Sequence, residues 1–84
     1  MPDPDPATLW RRLTLSQQAA LADMAVRPLN HVRGGWGDLE RAHRSGPCHA
    51  LVHRGLAEII HHGTGMRITD AGRAVVAASK EKTK

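Results

Sequence analysis

Residues 54–73, Arg-Gly-Leu-Ala-Glu-Ile-Ile-His-His-Gly-Thr-Gly-Met-Arg-Ile-Thr-Asp-Ala-Gly-Arg, constrain the fold more than any other part of the chain. Gly55 stands where a helix closes through a left-handed residue, a conformation glycine adopts without steric penalty. Ile59-Ile60 and Met66/Ile68 supply two short strands, and Gly63-Thr64-Gly65 supplies the reversal between them, so the segment predicts an antiparallel hairpin. Thr69-Asp70 then offers side-chain oxygens to the free amides of a new helix. A helix end, a hairpin and a helix start in direct succession place the chain in the α+β class.

Upstream, Thr14-Leu-Ser-Gln17 has the capping-box pattern, and residues 15–25 are expected to be helical with Leu21, Ala22, Met24 and Ala25 on or near the buried side and Pro28 closing the helix. Residues 29–33 read as a short strand. Gly34-Gly35-Trp36-Gly37 reads as a loop that turns a large aromatic inward. Asp38 is a natural N-cap for a short helix over 39–44, broken by Ser45-Gly46, and Pro47 suits the first turn of a further helix over 47–54. The apolar stripe of that helix, Cys48, Leu51 and Val52 and onward to Leu56, turns His49, Ala50, His53 and Arg54 outward. A last helix over 70–80 is expected to bury Ala71, Ala74, Val75 and Ala78, with Gly72 allowing close packing. Residues 1–8, alternating proline with acid, read as an extended arm, 9–79 as the folded domain and 80–84 as a basic tail.

Arg54-Gly55-Leu56, a short hairpin and then Thr69-Asp-Ala-Gly-Arg73 resemble the C-terminal half of MarR-like and PadR-like winged helix-turn-helix regulators. The resemblance implies a winged helix-turn-helix ordered as helix, short strand, helix, helix, two-stranded wing, helix, on a DNA-binding scaffold. Those families carry further long helices for dimerisation and ligand response, which these residues lack, so drug sensing does not carry over. The expectation is a small stand-alone regulator of phage or mobile-element type.

Composition limits the alternatives. Eighty-four residues bury only about 60 to 65% of their unfolded surface, which leaves room for one thin core. With two Trp and no Phe or Tyr, the chain lacks the aromatic platforms on which single strands stack. Twelve Lys and Arg against eight Asp and Glu, with a pI near 10.2, favour a polyanionic partner. One cysteine, Cys48, cannot form an internal disulfide, and no signal-like or long apolar run is present; the expectation is a cytoplasmic protein.

For duplex DNA, the helix over 47–54 is the element expected in the major groove, with Arg44, His49, His53 and Arg54 facing bases and phosphates. His62 and Arg67 on the hairpin, with His61 beside them, are expected against the backbone or minor groove, and Arg73 near phosphates on the flank of the last helix. This helix reads bases poorly: Arg54, near its C-terminus, is its only strong base reader. The pattern therefore leaves two functions open, a sequence-specific or architectural DNA-binding protein, or a winged-helix inhibitor that binds a host protein, an anti-CRISPR protein included. The expected partners are duplex DNA, or a host or phage protein in the second reading, with room for a homodimer and none for a membrane.

His49 and His53 have the i, i+4 spacing of a metal pair, with His61 or His62 as a third ligand, yet the chain lacks the Cys-x-x-Cys or two-Cys-two-His spacing of structural zinc. No metal or other cofactor is expected. Neither paired carboxylates nor a phosphate-binding glycine loop followed by Lys-Ser/Thr is present, and no enzymatic activity is expected.

Overall fold

A computed structural model describes residues 5–37 and 42–81. Its first helix, α1 (Pro6–Arg12), starts where the Asp5 carboxylate accepts the Thr8 amide at 2.9 Å and Pro6 fills a position whose N–H has no helical partner. That same amide holds the Asp5 carboxyl below the usual carboxylate range. Residues 6–8, expected in an extended arm, therefore form the first turn of a helix, because a cap and a proline coincide there. Leu9 and Trp10 pack against the core, and α1 lies on the last helix.

Helix α2 (Leu15–Val26) begins with both hydrogen bonds of the expected capping box, Gln17 N–H to Thr14 Oγ1 and Thr14 N–H to Gln17 Oε1, each 3.1 Å. It buries Ala20, Leu21 and Met24. Beyond Pro28 come β1 (Leu29–Val32), β2 (Gly35–Gly37) and β3 (Ala42–Arg44), followed by α3 (Ser45–His53), β4 (Ala57–Ile60), a 3-10 turn (His61–Gly63), β5 (Gly65–Ile68) and α4 (Asp70–Glu81). The strands make one antiparallel sheet in the order β3-β2-β1-β5-β4.

The end of α3 is a Schellman closure: Gly55 N–H donates to Val52 O and Leu56 N–H to Leu51 O, both at 3.0 Å, with Gly55 at φ +76°. Thr69 then ties two elements together. Its hydroxyl accepts the Gly72 amide at 3.1 Å as the cap of α4 and donates to Gly55 O at 2.7 Å, while its amide donates to Leu56 O. One face of the sheet carries Leu29, Trp36, Met66 and Ile68 into a core completed by Leu21, Met24, Leu51, Leu56 and Val75. The other face carries Asn30, Glu58 and Arg67, as strand alternation requires.

Three expectations are corrected. Residues 34–37, read as a loop, hold strand β2 over Gly35–Gly37, extended by its pairing with β1 on one edge and β3 on the other, and Trp36 turns inward from that strand. The helix expected over 39–44 is absent where it can be seen: Ala42–Arg44 is strand β3, paired with β2, while Asp38, its expected cap, and residues 39–41 lie outside the described residues. Pairing with β2 buries Trp36 to 3% exposure, and this tertiary gain outweighs the local helical preference of the segment. The described element before α3 is therefore a strand, not the first helix of a helix-turn-helix. In α4 the buried face is Gly72, Val75 and Val76, and Ala71 and Ala74 are exposed. A Cβ on Gly72 would lie 2.2 Å from Leu56 O, so the missing side chain is what rotates this face onto the sheet.

Candidate functional site

Strand register gathers one end of the molecule from segments far apart in sequence. β1 runs towards the two-residue Arg33-Gly34 loop, and His31 N–H donates to Thr64 O at 2.8 Å, so that loop and the tip of the β4–β5 hairpin lie at the same end of the sheet. β3 returns to this end, where Arg44 is the register partner of Gly35, and α3 starts immediately after it. The Arg33 loop, Arg44, the first turn of α3 and the His61-His62 tip thus share one end of the sheet, with the Arg33 loop between Arg44 and the tip.

Rings hold this end together. Trp36 stands between two histidines, His31 of β1 at a centroid distance of 4.8 Å and His49 of α3 at 6.0 Å, both edge-on. On the same face, His43 Nε2 meets Asp23 Oδ2 of α2 at 2.6 Å, with both side chains largely covered. The Trp36 indole N–H is buried and has no acceptor among the described residues. Gly35 sits beneath β3, where a Cβ would be 2.0 Å from His43 O. The β1–β2–β3 meander is therefore clamped onto α2 and α3 and holds His49 at a set orientation.

At the hairpin tip His61 and His62 adopt φ of +52° and +55°, a left-handed pair that side chains with a Cβ rarely occupy. Thr64 secures it, donating from N and Oγ1 to His61 O at 3.2 and 2.7 Å. Both rings are exposed.

The expected site residues fall into separate groups. Arg44 and His49 lie at the gathered end, with His62 on the tip beside it. His53 and Arg54 are exposed on the last turn and C-cap of α3, at the opposite end of that helix. Arg67 points from the other face of the sheet and is ion-paired through Nε with Glu58 of β4. It shares a groove with Arg73, Asp70 and Thr69 at the start of α4. Sequence reading missed His31 and Arg33. The signal available for them was Gly34-Gly35, which with the run over 29–33 spells a two-residue hairpin loop.

Segments 24–37, 42–57 and 59–69 contain no Asp or Glu, so apart from Asp23, held by His43, the described residues of this end bring arginine and histidine without carboxylates. Among the described residues no three His, Cys, Asp or Glu side chains converge to hold a metal ion, and no helix is long and apolar enough to cross a membrane. In comparisons with known proteins, no family model, no curated protein and no solved structure matches the chain.

Proposed function

We propose that this chain binds duplex DNA through the gathered end, with α3 against the major groove and the Arg33 loop and His61-His62 tip against the flanking backbone. The observation that carries this reading is that Arg33, Arg44 and four histidines, His31, His49, His61 and His62, share the end of the sheet where α3 starts, with Asp23, bonded to His43, the carboxylate among the described residues there. A polyanion is attracted there by charge. The order helix, strand, helix, hairpin, helix suits a winged domain in which β2 and β3 take the place of the expected second helix. The outward residues of α3 are His49, Ala50 and His53, which contact phosphate and groove shape more readily than base edges. An architectural or weakly specific DNA-binding protein therefore fits better than a strongly sequence-specific repressor.

The same poverty of base readers favours a second reading, an inhibitor that uses this end to cover a host protein. Fluorescence anisotropy on random-sequence duplex separates the two. DNA binding predicts log affinity falling with log salt at a slope of roughly −2 to −4, for two to four phosphates neutralised. No measurable duplex affinity at about 50 mM salt overturns the DNA reading and leaves the protein-binding one.

A further inference from the structure

Helix α2 is apolar on the side it turns away from its own fold. Leu15, Ala19, Ala22 and Val26 follow at spacings of four, three and four residues, which stacks them along one ridge whose ends are exposed, with Ala22 half-buried and Ala19 bordering the groove to β3. The side facing the core is already filled by Ala20, Leu21 and Met24. Leu15 is 84% and Val26 82% exposed, so two large apolar side chains stand in water at the ends of one helix.

Three polar side chains of α2 are engaged within the fold. Gln17 completes the cap with Thr14, Gln18 Nε2 donates to Trp10 O at 2.8 Å, and Asp23 meets His43.

We infer that the ridge seats against the same ridge of a second copy of this chain, in an antiparallel two-fold pair. The sequence large, small, small, large at spacing four, three, four reads the same in both directions. An antiparallel copy therefore places Leu15 against Val26 of the second copy and Ala19 against its Ala22, and the central alanines let the two backbones approach. Charge selects the same occupant. In a two-fold contact each group near the axis faces its like, so a self-association surface must be uncharged there, and residues 13–22 carry no charge in a chain where 24% of residues do. The ridge positions Leu15, Ala19, Ala22 and Val26 themselves offer no charge to an acidic partner or an anionic lipid surface, and Arg44 stands to one side, across the groove that Ser16 and Ala19 line.

A contact centred on one helix of about 18 Å is smaller than a standard interface, so dissociation is expected on the order of 100 µM. Sedimentation equilibrium of the full chain, without DNA, tests this independently of the proposed function. The mass should rise from 9.1 kDa towards twice that value between about 10 µM and 1 mM. Leu15→Glu and Val26→Glu should each weaken association at least about tenfold, and circular dichroism should remain unchanged because both side chains are exposed in the monomer. Orientation is read by oxidation. The variant with both Leu15→Cys and Val26→Cys should form a disulfide-linked dimer, whereas Leu15→Cys alone should not. In the antiparallel pair the two copies of position 15 lie about 16 Å apart, beyond the roughly 7 Å limit for a disulfide. A chain that stays monomeric to about 1 mM, a dimer indifferent to both glutamates, or ready self-crosslinking of Leu15→Cys overturns the inference.

Discussion

Gly55 and Gly72 are needed for different physical reasons, and substitution separates them. Gly55 sits at φ +76° with nothing within 4 Å of where a Cβ would be, so Gly55→Ala meets backbone strain alone and should cost about 1 kcal/mol. Gly72 lies inside α4, where alanine is ordinarily the better helix former by about 1 kcal/mol. Its Cβ, however, would stand 2.2 Å from Leu56 O and 2.6 Å from Ile68 Cγ1. Gly72→Ala should therefore reverse the usual sign and destabilise by about 2 kcal/mol or more, since the helix must lift from the sheet. Urea unfolding of both variants checks the order; a Gly72→Ala protein as stable as the parent would mean that α4 does not press on Leu56. Cys48 offers a second residue-scale test, because burial pushes its thiol up to about 11. The neutral thiol is the form the fold favours, so its contribution is intact below about pH 9 and is lost as the pH climbs towards about 11. Alkylation by iodoacetamide at about pH 8 should follow global unfolding, at least about 100-fold slower than for the unfolded chain. Rapid labelling of the folded protein would contradict the burial.

Among the elements, the β1–β2–β3 meander is tied to α2 by the Asp23–His43 pair at 2.6 Å, beside the contact of Trp36 with His49 of α3. Replacing either partner removes a largely covered, charge-assisted hydrogen bond, so Asp23→Asn and His43→Gln should each cost about 1.5 to 3 kcal/mol. A double-mutant cycle should return a coupling of about 1 kcal/mol or more, and additive losses would show that the two residues act separately. This link also explains which elements were legible in advance. The capping box at Thr14, the glycine closure at Gly55, the hairpin after it and the Thr69 cap are local signals, each written within four or five residues, and all appear in place. Strand β3 was not legible, because Ala42, His43 and Arg44 prefer helix locally and become strand through a pairing with Gly35, Trp36 and Gly37. The buried face of α4 was misread for the same reason. A helical wheel weighs side-chain hydrophobicity, whereas the decisive group is the absent side chain of Gly72 beneath Leu56.

For the molecule as a whole, the residues of the proposed interface were legible one at a time but not as a set. Arg44 and His49 could be named from their places around α3, yet their proximity to Arg33 and His31 arises from strand register, which composition and periodicity do not encode. Conversely, Arg67 and Arg73 carry the right charge but belong to the groove on the other face, with Glu58 and Asp70 beside them. Two double variants turn this geography into a measurement. Arg33→Gln with Arg44→Gln and Arg67→Gln with Arg73→Gln each remove two positive charges, taking the formal net charge from +4 to +2, and neither sets like charges against each other. Long-range attraction to a polyanion is therefore reduced equally in both. If phosphates lie at the gathered end, the first pair loses two direct contacts, and its salt slope should become shallower by roughly 1.8 units, with affinity falling about tenfold or more at low salt. The second pair should keep the parent slope within about half a unit. Equal slopes in the two variants would mean that binding follows net charge rather than place. A larger loss in the second pair would move the interface to the α4 groove.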